Sequence, residues 1–560
     1  LDAVNLCEMT RNDRHTVRAL FLLGANDGVL PAAENRGGVL RDEDRAALEQ
    51  HEIFLAPHGM EQFHLEIQNL YAALAQPTEK LTVSYPVSDG KGAEKRPSFV
   101  IGRIARLLPS ISVETESTDK EYRLSVKSTA LEYAGEHIGG ALWQYFEGQG
   151  DAERALAAMK DASRYTRGHL SRDAVRALYG GAVTLSASRM DMARSCHFAY
   201  FMRYGLKARE RTGAGFDAPQ IGTFVHDVME HTLRQAKECG GLHTLSKDKL
   251  HALVRASIEA YIDRVLPDLS EKSARFRYLF NRLCAAVERI MDEVSEELQS
   301  SDFEPLAFEL EFGADGQLPA ITIREENGTA RVVGKVDRVD GWLHDGKLYL
   351  RVVDYKTGKK SFDLAELRYG LGLQMLLYLF TLKEEGQMLF GGHEIVPAGV
   401  LYTPAREPML RCARDTEPEK IEKALKKELR RSGMVLEDPA VLQAMEHSAL
   451  ESPCYLPIAV KRDGAVMGSL ASAEQLGKLS KYVDHILHEI TQEVFAGNID
   501  ADPYARTPQQ SACTYCEFAS ACHFENGCGS DRMEYIKATK NDEFWQYIDE
   551  VNGEGAHENG

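Results

Sequence analysis

The sequence lacks an apolar run long enough to cross a bilayer. Its longest, such as Ala19–Gly24 and Met375–Phe380, fall far short of the roughly 20 residues that a spanning helix needs. It also lacks any internal repeat. The opening LDAVNLCEMTRNDRH is charged and has no apolar core, so a secretory signal is not expected. With Leu rather than Met in front, the chain reads as a fragment or processed product, and cytoplasm is the expected compartment. No surplus of positive charge is present: 66 Lys+Arg face 85 Asp+Glu, a net charge of −19. That balance argues against a protein that coats nucleic acid, because phosphate binding wants basic surface. Absent too is any G-x4-G-K-[ST] phosphate loop, so ATP hydrolysis is not expected of these residues; a nucleotide-binding motif would have to lie upstream.

What is present is ordinary for a folded protein. The chain has 560 residues, 44% hydrophobic and 27% charged, which excludes a disordered, collagenous or disulfide-stapled chain. At roughly 150 residues per domain, about three or four domains are expected. Ten cysteines occur. Six are scattered, whereas Cys513, Cys516, Cys522 and Cys528 crowd into SACTYCEFASACHFENGC. In a long chain without a secretory signal, such clustering points to metal rather than disulfides. Three thiolates spaced C-x2-C-x5-C suit zinc or an iron–sulfur cluster. The fourth ligand is Cys528 or a distant cysteine that would staple two remote segments.

The pattern along the chain alternates strand and helix. VRALFLLGANDGVLP (Val17–Pro31) reads as a strand and turn, Asp42–Leu65 as helix-forming, and Glu66–Tyr85 as a helix that ends near Pro77 ahead of the strand KLTVSYP. Leu131–Tyr179 is helical with glycine breaks, and a domain boundary is expected near Gly180-Gly181. Leu185–Gly213 interleaves Arg189, Arg194, Arg203 and Lys207 with Phe198, Tyr200, Phe201 and Tyr204, a mixture suited to DNA phosphates and bases; a solvated helix with core aromatics explains the aromatics equally well. Helices are predicted over Ile221–Lys237 and Lys247–Leu298, strands over Leu306–Thr357, and a helix near Leu373–Glu384. The last ten residues, VNGEGAHENG, read as a disordered tail.

RVVGKVDRVDGWLHDGKLYLRVVDYKTGKK (Arg331–Lys360) carries the most information. Asp345-Gly346 between apolar runs signals a two-residue hairpin turn. In that register Asp337 faces Asp354, with Cβ atoms about 5 Å apart. Two facing carboxylates repel, and burying them is costly unless a cation intervenes; Mg²⁺ or Mn²⁺ suits such oxygens. Lys356 falls on the face of Asp354, placed to orient water or meet phosphate charge. The register would also pair Lys335 with Lys356, an awkward juxtaposition that a bulge would relieve. His226, on an amphipathic helix after Gly222, could complete a metal shell, although pairing with Glu230 is the blander reading.

Taken together, Gly222/His226, Gly334/Asp337, Asp354-Tyr355-Lys356-Thr357 and Gln374/Tyr378 resemble, in order, the motifs of the RecB-type branch of the PD-(D/E)xK nuclease superfamily. The resemblance implies that His226, Asp337, Asp354 and the Tyr355 carbonyl hold Mg²⁺, that Lys356 helps activate water, and that Gln374 and Tyr378 line the site, with Glu309 a further candidate. It also implies a [4Fe–4S] cluster on Cys196, Cys513, Cys516 and Cys522, leaving Cys528 spare. The first third resembles the C-terminal motifs of UvrD-like superfamily 1 helicases, but Gln76 stands where an active member has the arginine that reaches the ATP γ-phosphate. Losing such a finger costs orders of magnitude in hydrolysis.

The expected fold is therefore α/β. An inactivated helicase remnant with a helical segment spans 1–180. A restriction-endonuclease-like nuclease domain, a mixed sheet flanked by helices, spans 181–535 with its cluster staple. Residues 536–560 form a partly disordered tail. The resemblance further implies a nuclease subunit of a bacterial two-subunit, ATP-dependent helicase–nuclease in recombinational repair. Such a subunit degrades the 5′-ended strand of single-stranded DNA unwound by a helicase partner, and contributes to Chi recognition. A non-catalytic DNA-binding scaffold is disfavoured by the intact Asp337, Asp354 and Lys356, and a stand-alone CRISPR-adaptation nuclease by the helicase-like third.

Overall fold

The computed structural model describes residues 4–9, 15–32, 40–57, 59–88, 94–114, 123–164, 166–209, 218–313, 316–410, 412–413, 416–507 and 510–553. The chain divides into two compact units, Leu1–Lys160 and Asp161–Gly560, so the division falls ahead of the Gly180-Gly181 pair.

In the first unit, Val17–Leu22 and Pro77–Val83 form a parallel pair, with helices Asp42–Gln50 and Gly59–Leu74 between them in sequence. Pro77 opens its strand, a position where the missing N–H costs no ladder bond. Ala25, Leu30, Leu70 and Val100 make one small core. The glycine breaks after residue 131 do separate short helices, Lys127–Glu136, Ala141–Phe146 and Asp151–Ser163, which bury Ala134, Trp143, Phe146 and Leu156 in a core of their own. Gln76 is buried, and its carbonyl accepts from the Val17 N–H at 3.0 Å.

The second unit is built on a six-stranded mixed sheet. Its strands are β1 (Glu304–Phe312), β2 (Gly334–His344), β3 (Lys347–Lys356), β4 (Glu394–Pro404), β5 (Ser432–Leu436) and β6 (Leu470–Ala471), adjacent in that order. β1 to β3 pair antiparallel, β3 with β4 parallel, β4 with β5 antiparallel, and β5 with β6 parallel. β3 is inside the sheet and buried along nearly its whole length, as expected of a strand with covered faces. Around the sheet lie α1 (Ala218–Glu238), α2 (Lys247–Val265), α3 (Ala274–Gln299), α4 (Gln374–Glu385) and α5 (Ala473–Ala496). This is the mixed sheet flanked by helices that the motif order implies.

Two helix assignments need correction. Lys247–Leu298 is two helices, because Pro267 follows Val265-Leu266 and cannot continue the first. Residues 536–553 are not tail: Asn541–Val551 is a helix that buries Phe544 and Ile548 and sets Asp549 2.9 Å from Lys478. Its FWQYI run supplies an apolar face at helical spacing that the polar residues around it masked. Residues 554–560, the rest of the expected tail, lie outside the described residues.

Candidate active site and cysteine cleft

The hairpin forms in the expected register. Asp345 and Gly346 both take positive φ, 48° and 76°, as a type I′ turn requires. Pairing runs from His344↔Lys347 to Arg338↔Val353. Asp337 and Asp354 are the next step, where the ladder opens. Along its other edge β2 pairs with β1 from Gly341 to Gly334, and Lys335 lies across from Glu311. The awkward facing of Lys335 and Lys356 therefore does not occur: the Lys335 ammonium sits 2.6 Å from Glu309, and that of Lys356 2.6 Å from Asp354.

Strand alternation sorts β3 into two chemistries. Asp354 and Lys356 point to the face covered by α4, where the Gln374 amide donates to Asp354 Oδ1 at 3.5 Å and to the Tyr378 hydroxyl at 3.2 Å. Arg351 and Tyr355 point to the opposite face. There Arg338 donates to the Tyr355 hydroxyl at 2.6 Å and to Asp340 at 3.0 Å. Arg351 donates to the same Asp340 oxygen at 2.9 Å, and Glu297 on α3 accepts from Arg431 at 2.6 Å. These charges are buried. Burial alone would raise Glu297, but Arg431, Arg351 and Arg338 hold it down to about 2. Sequence reading missed this network, because hydropathy places Arg and Asp outside; only their alternation within an apolar strand hinted at it.

At the mouth, α1 brings His226 to the end of β3. Its Nε2 lies 2.9 Å from the Tyr355 carbonyl oxygen and its Nδ1 3.3 Å from Asp337. Asp337 accepts from the Tyr355 N–H at 2.8 Å. Donor atoms of His226, Glu309 and Asp337 all lie within 4.8 Å of one another, so Glu309 joins the group. Burial, then the neighbouring Asp337 charge, pushes the Asp354 carboxyl up to about 6. Burial would depress His226, but Asp337, Asp354 and Glu309 outweigh it and raise its pKa. One imidazole, three carboxylates and a carbonyl converging on one mouth form a donor set that fits a hard divalent cation.

The two motif glycines differ. A Cβ on Gly334 would come within 2.5 Å of Tyr378 and 2.6 Å of Phe312, so glycine is sterically required. A Cβ on Gly222 would meet only Thr357 Oγ1, at 3.9 Å. Close backbone approach is therefore not what Gly222 serves; it leaves open space beside Thr357.

The basic segment is largely committed inside the domain. Arg194 is bound by Glu489 and by Glu493 at 3.1 Å and is mostly buried, which corrects its assignment to DNA. Arg203 pairs with Glu517 at 2.6 Å and stays partly exposed. Arg189 donates to the Thr184 carbonyl at 2.6 Å and stacks over Tyr204. Lys207 is exposed. Arg211 lies outside the described residues.

Cys196, Cys513, Cys516 and Cys522 line one cleft of about 590 Å³, walled by Phe198, Phe518 and Tyr515; Cys528 is exposed and does not line it. Burial pushes the Cys196 thiol up to about 12 against the backbone N–H groups of Ala199, Asp502 and Phe198. Among the described residues no three cysteine sulfurs approach within 4.8 Å of one another, wider than the roughly 3.8 Å between thiolates on one tetrahedral zinc. The segment is clasped without metal as well: the His197 N–H donates to Asp502 at 2.9 Å and that of Phe198 to the Asp500 carbonyl at 2.9 Å. Arg167, which nothing in the sequence marked, bridges Asp531 and the Cys522 carbonyl at 2.8 Å each.

Comparison with known proteins matches residues 184–523 to the family model of the PD-(D/E)XK nuclease superfamily. A protein of Ruminiclostridium cellulolyticum, named as a subunit of an ATP-dependent helicase/deoxyribonuclease, is 30% identical over 98% of this chain and 50% of its own length. One of the same name from Acetivibrio thermocellus is 32% identical over the same shares. The chain thus spans about half the length of the curated relatives it matches. No helix among the described residues is long and apolar enough to cross a membrane.

Proposed function

The chain belongs to the PD-(D/E)XK nuclease superfamily, and from that premise we propose that it carries the nuclease of an AddB-type subunit in a two-subunit, ATP-dependent helicase–deoxyribonuclease. Its reaction is Mg²⁺-dependent hydrolysis of phosphodiester bonds in single-stranded DNA, released from duplex ends by an AddA-like helicase partner during recombinational repair. The strand attacked is the 5′-ended one, and the helicase-like unit contributes to Chi-related DNA binding rather than to ATP hydrolysis. The relatives' shared name supports the subunit role and the deoxyribonuclease chemistry.

The observation that carries the reading is the convergence of His226, Glu309 and Asp337 donors within 4.8 Å beside the Asp354–Lys356 pair. A divalent cation bound there would acidify water and polarise the phosphate. The chain's own residues do the rest. Asp337 is locked by the Tyr355 N–H, and His226 spans that carboxylate and the Tyr355 carbonyl. Gln374 anchors Asp354, with Tyr378 behind it. Lys356, held beside Asp354, keeps one cation facing the position where phosphate charge grows. Across the sheet, the Arg338 bond to the Tyr355 hydroxyl fixes the residue whose carbonyl faces the site.

The cysteine cleft supports a [4Fe–4S] cluster on Cys196, Cys513, Cys516 and Cys522, joining the start of the nuclease unit to its end. The deciding experiment is cleavage of end-labelled single-stranded DNA with and without Mg²⁺. Wild type should cut only with metal, and Asp354→Ala should lose the activity by at least about 100-fold. Equal cutting by both would refute the assignment.

A further inference from the structure

Gln374 is the first residue of α4, so the start of that helix determines where its amide stands against Asp354. Nothing inside the helix fixes the start: Leu373, at its N-terminal end, has an apolar side chain that cannot cap it. The link from the helix Leu364–Arg368 is Tyr369-Gly370-Leu371-Gly372, with φ of 74° at Gly370 and 67° at Gly372. Two glycines in the left-handed region make a compliant tether, because glycine has the most backbone freedom to lose. The tether is therefore held from outside. Leu371 is buried with Ala365 and Ile536, and the Tyr482 hydroxyl donates to the Leu367 and Arg368 carbonyls at 3.0 and 2.9 Å. Arg194 packs against Gly370, where a Cβ would come within 3.0 Å of its Nε. The anchor nearest Gln374 is Asp191, whose Oδ1 accepts from the Gly372 N–H at 2.9 Å.

Asp191 belongs to the helix Ala187–Ser195, which runs into Cys196. Its carboxyl is largely withdrawn from water. Burial pushes its pKa up, the Gly372 N–H and Lys360 oppose the rise, Glu366 adds to it, and the charge of Lys356 also bears on it. Withdrawing a carboxylate from water is costly unless it is hydrogen-bonded, and a bond from an N–H to an ionised oxygen is roughly twice as strong as one between neutral groups. A short chain of contacts results. Asp191 holds Gly372, Gln374 stands two residues further on, and its amide reaches Asp354 Oδ1 at 3.5 Å and the Tyr378 hydroxyl at 3.2 Å.

We propose that Asp191 is a positioning residue of the carboxylate site: its bond to the Gly372 N–H sets the first turn of α4 and so holds Gln374 on Asp354. The role rests on the nuclease reading above and adds to it a support that comes from the segment leading into Cys196. Without that bond the glycine tether lets the helix start shift, and Asp354 loses its neutral partner. The effect falls on turnover rather than on DNA affinity, because the Gln374 amide is engaged by Asp354 and Tyr378.

The test uses the full chain and end-labelled single-stranded DNA with Mg²⁺. Asp191→Ala should lower kcat about tenfold, the scale of one lost charge-assisted hydrogen bond, and leave KM within about twofold. Asp191→Asn keeps an acceptor and should recover most of the rate. Added to Gln374→Ala, Asp191→Ala should cost little more, since the two residues act as one unit. A wild-type kcat in Asp191→Ala, an equal loss in Asp191→Asn, or a full further loss in the double variant overturns the proposal. So does a loss of visible absorbance together with activity in Asp191→Ala, which would place Asp191 in the service of the cysteine cleft it borders. Should Asp354→Ala cut as well as wild type, the nuclease reading fails; an inactive Asp354→Ala beside a fully active Asp191→Ala overturns the positioning role alone. Hydrogen exchange supplies a readout free of catalysis: the Gly372 amide should be protected in wild type and exchange at least about tenfold faster in Asp191→Ala. Exchange of that amide in wild type at the rate of an open loop overturns the proposal, even where Asp191→Ala does not fold.

Discussion

Asp337 and Asp354 occupy facing strands one step past Arg338↔Val353, the last pair of the hairpin ladder. The β2–β3 ladder ends where the two acids stand, while β2 continues against β1 as far as Gly334 and β3 against β4 as far as Lys356. Each acid then finds its own partners: Asp337 takes the Tyr355 N–H and His226, and Asp354 takes Lys356 and Gln374. What remains unbalanced is the mutual repulsion that, after burial, lifts Asp354 to about 6.

That repulsion makes a prediction about metal. Asp354→Asn removes one like charge from a buried site, so without divalent cation the variant should melt no lower than wild type. Wild type should gain stability on titration with Mg²⁺, by mass action on the folded state; the variant should gain much less. Calorimetric melts across a Mg²⁺ series check this. An equal gain in the two proteins would show that Asp354 is no ligand.

The motif glycines should separate. Gly334→Ala drives a Cβ to 2.5 Å from Tyr378 and 2.6 Å from Phe312, overpacking that costs about 1–3 kcal/mol and displaces the tyrosine backing Gln374. Gly222→Ala meets only an ordinary 3.9 Å contact and should leave the melting temperature unchanged or slightly raised. Denaturant midpoints of the two variants measure the contrast.

Much of this site was legible in advance, for a physical reason. The two-residue turn at Asp345-Gly346 sets a register, and the period of two then assigns a face to every residue from Arg338 to Val353. Such local rules carry no information about remote partners. That Arg194 is absorbed by Glu489 and Glu493, hundreds of residues away in sequence, or that Arg338, Asp340, Arg351 and Glu297 neutralise one another inside the core, depends on tertiary packing. Basic residues among aromatics look alike whether they face DNA or a carboxylate of the same domain. The hairpin also could not announce that pairing ends at Arg338, since a turn fixes where a ladder begins and not where it stops.

The cysteine cleft predicts which thiols matter. Purified anaerobically, the protein should show the broad visible absorbance of an iron–sulfur cluster. Cys196→Ala and Cys516→Ala should bleach it, whereas Cys528→Ala, altering an exposed thiol outside the cleft, should not. A colourless wild-type protein that releases one equivalent of zinc on thiol modification would refute the cluster.

The buried network gives a stability prediction with a defined sign. Glu297 ordinarily titrates near 4.5 and is held at about 2 in the folded protein by Arg431, Arg351 and Arg338. A depressed folded pKa means that its contribution is present in full above the unfolded value. That contribution is lost as pH falls from about 4.5 toward 2, and is of the order of 3 kcal/mol. Glu297→Gln should forfeit it at every pH and strand two buried guanidinium groups, costing about 3–5 kcal/mol at neutral pH. Between pH 4.5 and 2 the variant should therefore lose less further stability than wild type, the two curves converging at the acid end. Urea unfolding across that range would show the convergence; parallel curves would mean that Glu297 is not the group whose protonation loosens α3 from the sheet.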